Sequence, residues 1–121
     1  MRPAARKVML VEDEALIAIM MEDLLTEAGC EVTATFGALG PAMEWLSTQV
    51  DLPDGALLDV NLGGEMVFPL ANALLDRGVP FVFATGYSVL PSDDFPDAVV
   101  LQKPVNLGLL ANAIQRFGTA A

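Results

Sequence analysis

The chain has 121 residues, 54% of them apolar, with one cysteine and no histidine. This is a globular composition with a single core; it offers no disulfide framework and no imidazole for metal binding or general-base work. Sixteen acidic residues against six basic ones give a formal net charge of −10, which repels nucleic acid and leaves a hard cation held by carboxylates as the metal the chain can bind.

Residues 7–11 form a short apolar run, a strand buried on both faces. Residues 14–28 carry Ile17, Met20, Met21, Leu24 and Ala28 at helical spacing, with Gly29 as the stop. Residues 31–35 alternate as a second strand, and 40–48 make a short helix with Pro41 in its first turn. A third strand, 55–58, ends at Asp59, and "NLGG" after it reads as a flexible loop. Residues 69–77 are a third helix between Pro69 and Gly78, and 80–84 a fourth strand. A helix is due next, but Pro91 and Pro96 interrupt 87–96, "YSVLPSDDFP", where Val89, Leu90 and Phe95 are the remaining apolar anchors. The segment reads as short and mobile. Residues 98–101 are a fifth strand, and 107–117 a last helix with Leu110, Ala113, Ile114 and Phe117 on one side. Met20, Met21, Met43 and Met66 read as packing residues, Trp45 as partly buried and Cys30 as a small hydrophobe.

Strand–helix alternation implies an α/β fold with a parallel sheet covered on both faces. Right-handed crossovers and five short strands suit a flavodoxin-like, doubly wound sheet of order 2-1-3-4-5, with a short or irregular fourth helix. Ligands of such sheets sit at the carboxyl ends of strands 1 and 3, where the winding reverses. That rim collects Glu12, Asp13 and Glu14 after strand 1, Asp59 after strand 3, Thr85 after strand 4 and Lys103 after strand 5.

Three converging carboxylates raise one another's pKa unless a cation intervenes, and a divalent ion is the simplest remedy. Mg²⁺ takes one or two carboxylates and keeps several waters. Asp13 and Asp59 are assigned as direct ligands, the longer Glu12 as acting through water, and the backbone carbonyl of Asn61 as a further available oxygen. Asp59 is also placed to attack phosphorus as a nucleophile, with Lys103 and the Thr85 hydroxyl pairing with phosphoryl oxygens. Each motif alone has a plainer reading, as a helix start, a turn or a common dipeptide; their joint order at the strand ends favours a site.

The segments "VMLVEDE" (8–14), "LLDVNLGG" (57–64), "VFATGYS" (82–88) and "LQKPV" (101–105) resemble a two-component response-regulator receiver domain over nearly the whole chain. The resemblance implies Asp59 as phosphoacceptor, Glu12 and Asp13 as the acidic pair, Thr85 as the switch hydroxyl, Lys103 as the site lysine, and a sensor histidine kinase or phosphotransfer protein as donor. It raises the expectation of a cis peptide at Lys103-Pro104. "FATGY" resembles the FAT GUY subgroup, often stand-alone receivers paired with kinases of the HWE type, which implies output by protein contact. Ordinary receivers carry Tyr or Phe where this chain has Val100, and a complete fourth helix where it has only residues 88–97.

The expectation is therefore one receiver domain over 1–121, cytoplasmic, with no signal peptide pattern and no apolar run long enough to span a bilayer. It is expected to be a phosphoacceptor with slow self-dephosphorylation rather than an enzyme, using Mg²⁺ and binding neither nucleic acid nor membrane. The competing readings are a small aspartate-nucleophile phosphatase, for which Asn61 lacks the second carboxylate; a flavodoxin-type binding module, whose phosphate would meet Glu12-Asp13-Glu14; and a phosphate-independent pseudo-receiver.

Overall fold

In the computed structural model, which describes residues 5–87 and 90–117, apolar runs and helical repeats alternate along the chain. The strands are β1 (Arg6–Val11), β2 (Cys30–Phe36), β3 (Gly55–Asp59), β4 (Asn61–Leu62), β5 (Glu65–Met66), β6 (Phe81–Thr85) and β7 (Val99–Gln102). The helices are α1 (Ala15–Glu27), α2 (Leu39–Thr48), α3 (Phe68–Asp76) and α4 (Leu107–Ala113), the last followed by a 3₁₀ turn at Ile114–Arg116.

Five strands pair in parallel in the order β2-β1-β3-β6-β7, which is 2-1-3-4-5 when the strands of this sheet alone are counted. Alternation along each strand sends Met9, Val11, Leu58 and Phe83 into a layer under α2 and α3. Val8, Leu10, Leu57 and Val82 go into the opposite layer under α1 and α4. Both faces being covered is why the central strands are apolar throughout. Gly29 and Gly78 end α1 and α3 at φ of +87° and +72°, a region that costs glycine little. Leu110, Ala113, Ile114 and Phe117 are all buried on one side of the last helix, as their spacing predicts.

The structure differs from the sequence reading in two places. The core face of α1 is Ala18, Met21 and Leu25, while Met20 is 53% exposed and Ile17 and Leu24 are half-buried. The helix is apolar nearly all round, so its periodicity admits two neighbouring faces. "NLGG" is no loose loop: Asn61–Leu62 pairs antiparallel with Glu65–Met66 around Gly63 and Gly64 at φ +66° and +97°, the two positive values a tight hairpin turn requires.

Between β6 and β7 the described residues carry no helix, in keeping with the short or irregular fourth helix the prolines predict. The connection is pinned at Phe95, which is buried. Its ring stacks on Phe68 at 5.5 Å and meets Phe83 and Phe81 edge-on at 5.5 and 6.0 Å. One aromatic side chain thus does part of the covering a helix would do. Of the expected anchors, Val89 lies outside the described residues, as does Ser88.

Candidate functional site

The carboxyl ends of β1, β3, β6 and β7 meet at one rim, because parallel pairing places Asp59 opposite Ala84 and Thr85 opposite Gln102. Asp59 and Thr85 close β3 and β6, both buried. Lys103 follows β7, tied to it by its N–H donating to the Thr85 carbonyl at 2.8 Å and joined to Pro104 by a cis peptide. Asp13, Asp59, Asn61, Thr85 and Lys103 line one open cavity of about 520 Å³, together with Glu14, Ile17, Gly63, Gly64, Gly86 and Tyr87. Every predicted site residue except Glu12 borders it.

Glu12 lies behind the cavity. Its side chain is fully buried, Oε1 sits 2.6 Å from Lys103 Nζ, and Oε2 accepts the Glu14 N–H at 3.1 Å. Lys103 Nζ also reaches Asp59 Oδ1 at 3.2 Å. The lysine is therefore the cation that first answers the carboxylate crowding, a role the sequence reading gave to a divalent ion. Residual strain falls on Asp59: burial, the Glu12 carboxylate and a hydrogen bond with Asp13 push it up to about 7, against the pull of Lys103. Burial works to lower Lys103, but the Glu12 and Asp59 carboxylates together hold it above its usual value.

The donor set fits a hard divalent cation. Carboxylate oxygens of Glu12, Asp13 and Asp59 lie within 4.8 Å of one another. Asp13 is exposed and uncommitted to Lys103, whereas both oxygens of Glu12 are already engaged, which suits contact through water rather than direct ligation.

The side chains of Asn61 and Tyr87 carry more than sequence reasoning assigned them. Asn61 Oδ1 accepts the Gly64 N–H at 2.6 Å, holding the hairpin turn, and its Nδ2 donates to the Tyr87 hydroxyl at 3.0 Å. The Tyr87 N–H donates to Thr85 Oγ1 at 3.0 Å. Hairpin, tyrosine and threonine thus form one hydrogen-bonded rim. The only sequence trace of it is an Asn placed before Leu-Gly-Gly, where a side chain can close the turn.

No protein-family model and no curated protein matches the chain. Solved structures do. SdrG from Sphingomonas melonis Fr1 is 40% identical, with 94% of this chain and 97% of that one covered at a TM-score of 0.79. The BeF3-activated conformation of SdrG aligns at 38% identity, 95% and 97% coverage and a TM-score of 0.75. A response regulator receiver protein from Sinorhizobium medicae WSM419 is 28% identical, with 93% of each chain covered and a TM-score of 0.78. The response regulator PhyR from Brucella abortus is 25% identical over 93% of this chain, at a TM-score of 0.77. The chain spans only 47% of that protein's length.

Proposed function

The chain belongs to the response-regulator receiver domains, and from that membership we propose that it accepts a phosphoryl group on Asp59 from a histidine kinase or phosphotransfer protein and passes the signal on by protein contact. The supporting observation is the convergence of Asp59, Lys103, Thr85 and Asp13 on one cavity, with Glu12 paired to Lys103 behind it. An Asp59 carboxylate oxygen attacks phosphorus, the new O–P bond forms as the donor's P–N bond breaks, and the imidazole leaves. Lys103, 3.2 Å from Asp59, is placed to neutralise one phosphoryl oxygen and the Thr85 hydroxyl to donate to another. Asp13 and Asp59, with Glu12 through water and the Asn61 carbonyl, would be the residues to hold Mg²⁺, which would supply charge neutralisation for the phosphoryl group. The FAT GUY resemblance favours a donor of the HWE type. The domain then acts as a phosphoacceptor with slow self-dephosphorylation rather than as an enzyme.

Incubation with Mg²⁺ and acetyl phosphate tests this by intact mass. One phosphoryl adduct that disappears in Asp59→Asn is expected. No adduct together with no response to beryllofluoride, or an adduct that survives the substitution, rejects the reading; sustained p-nitrophenyl phosphate turnover makes the chain a phosphatase instead.

The switch would run through 86–97. Thr85 Oγ1 accepts the Tyr87 N–H, so a shift of Thr85 toward a phosphoryl group would either carry Tyr87 with it or break that bond. Val100, 40% exposed on β7, offers no aromatic ring to follow the threonine. Hydrogen exchange with and without beryllofluoride should differ at amides within this segment; unchanged protection throughout rejects it as the switch.

A further inference from the structure

At the opposite end of the strands from the carboxylate rim, the missing fourth helix leaves a second hollow. It has a volume of about 370 Å³, within the roughly 300–1,000 Å³ range of functional pockets. Its floor and walls are apolar: Leu75 from the end of α3, Phe81 from the start of β6, and Phe95 from the connection. Leu75 is 55% exposed there. A further hollow of about 490 Å³, reaching Gly78 and Val79, shares Leu75, Pro80 and Arg116 with it, so the two adjoin as one groove. Asp94 and Asp97 rim its outer end, both exposed, and the Arg116 guanidinium leans toward Asp97, Nη1 to carbonyl oxygen at 3.5 Å.

We propose that this groove is a docking site for a protein segment that presents a large apolar side chain flanked by lysine or arginine. Charge selects the occupant. Two carboxylates rim the groove against one guanidinium, and the chain as a whole carries −10. A nucleic acid, an anionic lipid surface or a second copy of this chain would each meet repulsion, while a basic segment is steered in. Exposed Leu75 beside the Phe81 and Phe95 rings gives such a segment apolar area to bury. None of its residues borders the carboxylate rim, so a phosphoryl donor at Asp59 and an occupant here do not compete for the same surface, although Asp94, Phe95 and Asp97 belong to the segment proposed above as the switch.

The test is a titration of the isotope-labelled full chain, followed by its amide resonances. The probe is a capped octapeptide of Lys, Leu and Phe, and its control replaces each Lys with Glu. Saturable shifts centred on Leu75, Phe81, Asp97 and Ala98 with the basic peptide are expected, and at least tenfold weaker binding of the acidic one. Leu75→Glu and the double variant Asp94→Lys/Asp97→Lys alter exposed side chains, and each should weaken the basic peptide at least fivefold with the circular dichroism spectrum unchanged. The proposal is overturned if the peptide does not saturate by about 1 mM, if both peptides bind alike, if either variant binds as the parent does, or if the shifts centre on α1 or on the carboxylate rim.

Discussion

Asp59 is buried beside Glu12 and raised to about 7 from an ordinary 3.8, and that makes the metal-free protein pH-sensitive. Between those two values the unfolded chain holds an ionised aspartate while the native one keeps its proton. Stability from this group is therefore full below about pH 4 and declines as pH rises toward 7, because the native state binds more protons. Asp59→Asn removes the charge without changing the shape. It should raise urea-measured stability of the metal-free protein by about 1–3 kcal/mol at pH 8 and leave it unchanged at pH 3.5. An equal effect at both pH values would mean that the gain is one of packing. The Asp59 position is thus held at a cost to the resting fold, as is usual of groups poised for chemistry.

At the scale of elements, the last 3₁₀ turn seals the sheet. A Cβ built on Gly55 would fall 2.2 Å from the Phe117 ring, so the glycine that opens β3 is fixed by a side chain more than sixty residues on. Gly55→Ala should cost about 1–3 kcal/mol, as overpacking does. Combined with Phe117→Ala it should cost little beyond Phe117→Ala alone, since the clash is gone; additive losses in a double-mutant cycle would show a different cause. This coupling is not legible in the sequence, where Gly55 follows Asp54 like any turn residue. The hairpin β4–β5 escaped for a related reason, being two residues a side and recognisable only by its glycines. Phe95 was legible as an apolar anchor, but not the rings it packs on, because one aromatic between two prolines has no period to read. The strands, by contrast, were legible: runs such as "VMLV" and "FVFA" are apolar on both faces, and in a doubly wound sheet that pattern fixes where each strand's polar successor falls. Glu12, Asp13, Asp59, Thr85 and Lys103 are those successors, so the rim is legible in the sequence. Which carboxylate Lys103 would choose is not, because that depends on the depth at which Glu12 is buried.

The whole molecule carries its −10 charge with three carboxylates in one cluster, so cations act on it in two ways. Any salt screens the general repulsion, whereas a divalent ion, if held by Asp13 and Asp59 as proposed, would stabilise the native state by mass action, about 2.7 kcal/mol at a hundredfold excess over its dissociation constant. Mg²⁺ should therefore raise the thermal midpoint well beyond NaCl of equal ionic strength, more at pH 8 than at pH 6, since Asp59 must ionise to bind it. Asp13→Asn should reduce the Mg²⁺ effect to that of NaCl; an undiminished effect would place the ion elsewhere.

Cys30 begins the edge strand β2 and is 6% exposed, and burial raises its thiol above the usual range, so it stays protonated and shielded while the sheet is closed. It is the only sulfhydryl in the chain. A thiol reagent in excess consequently has one target and must wait for β2 to open. Its rate of incorporation measures how often that edge comes away, without any engineered probe.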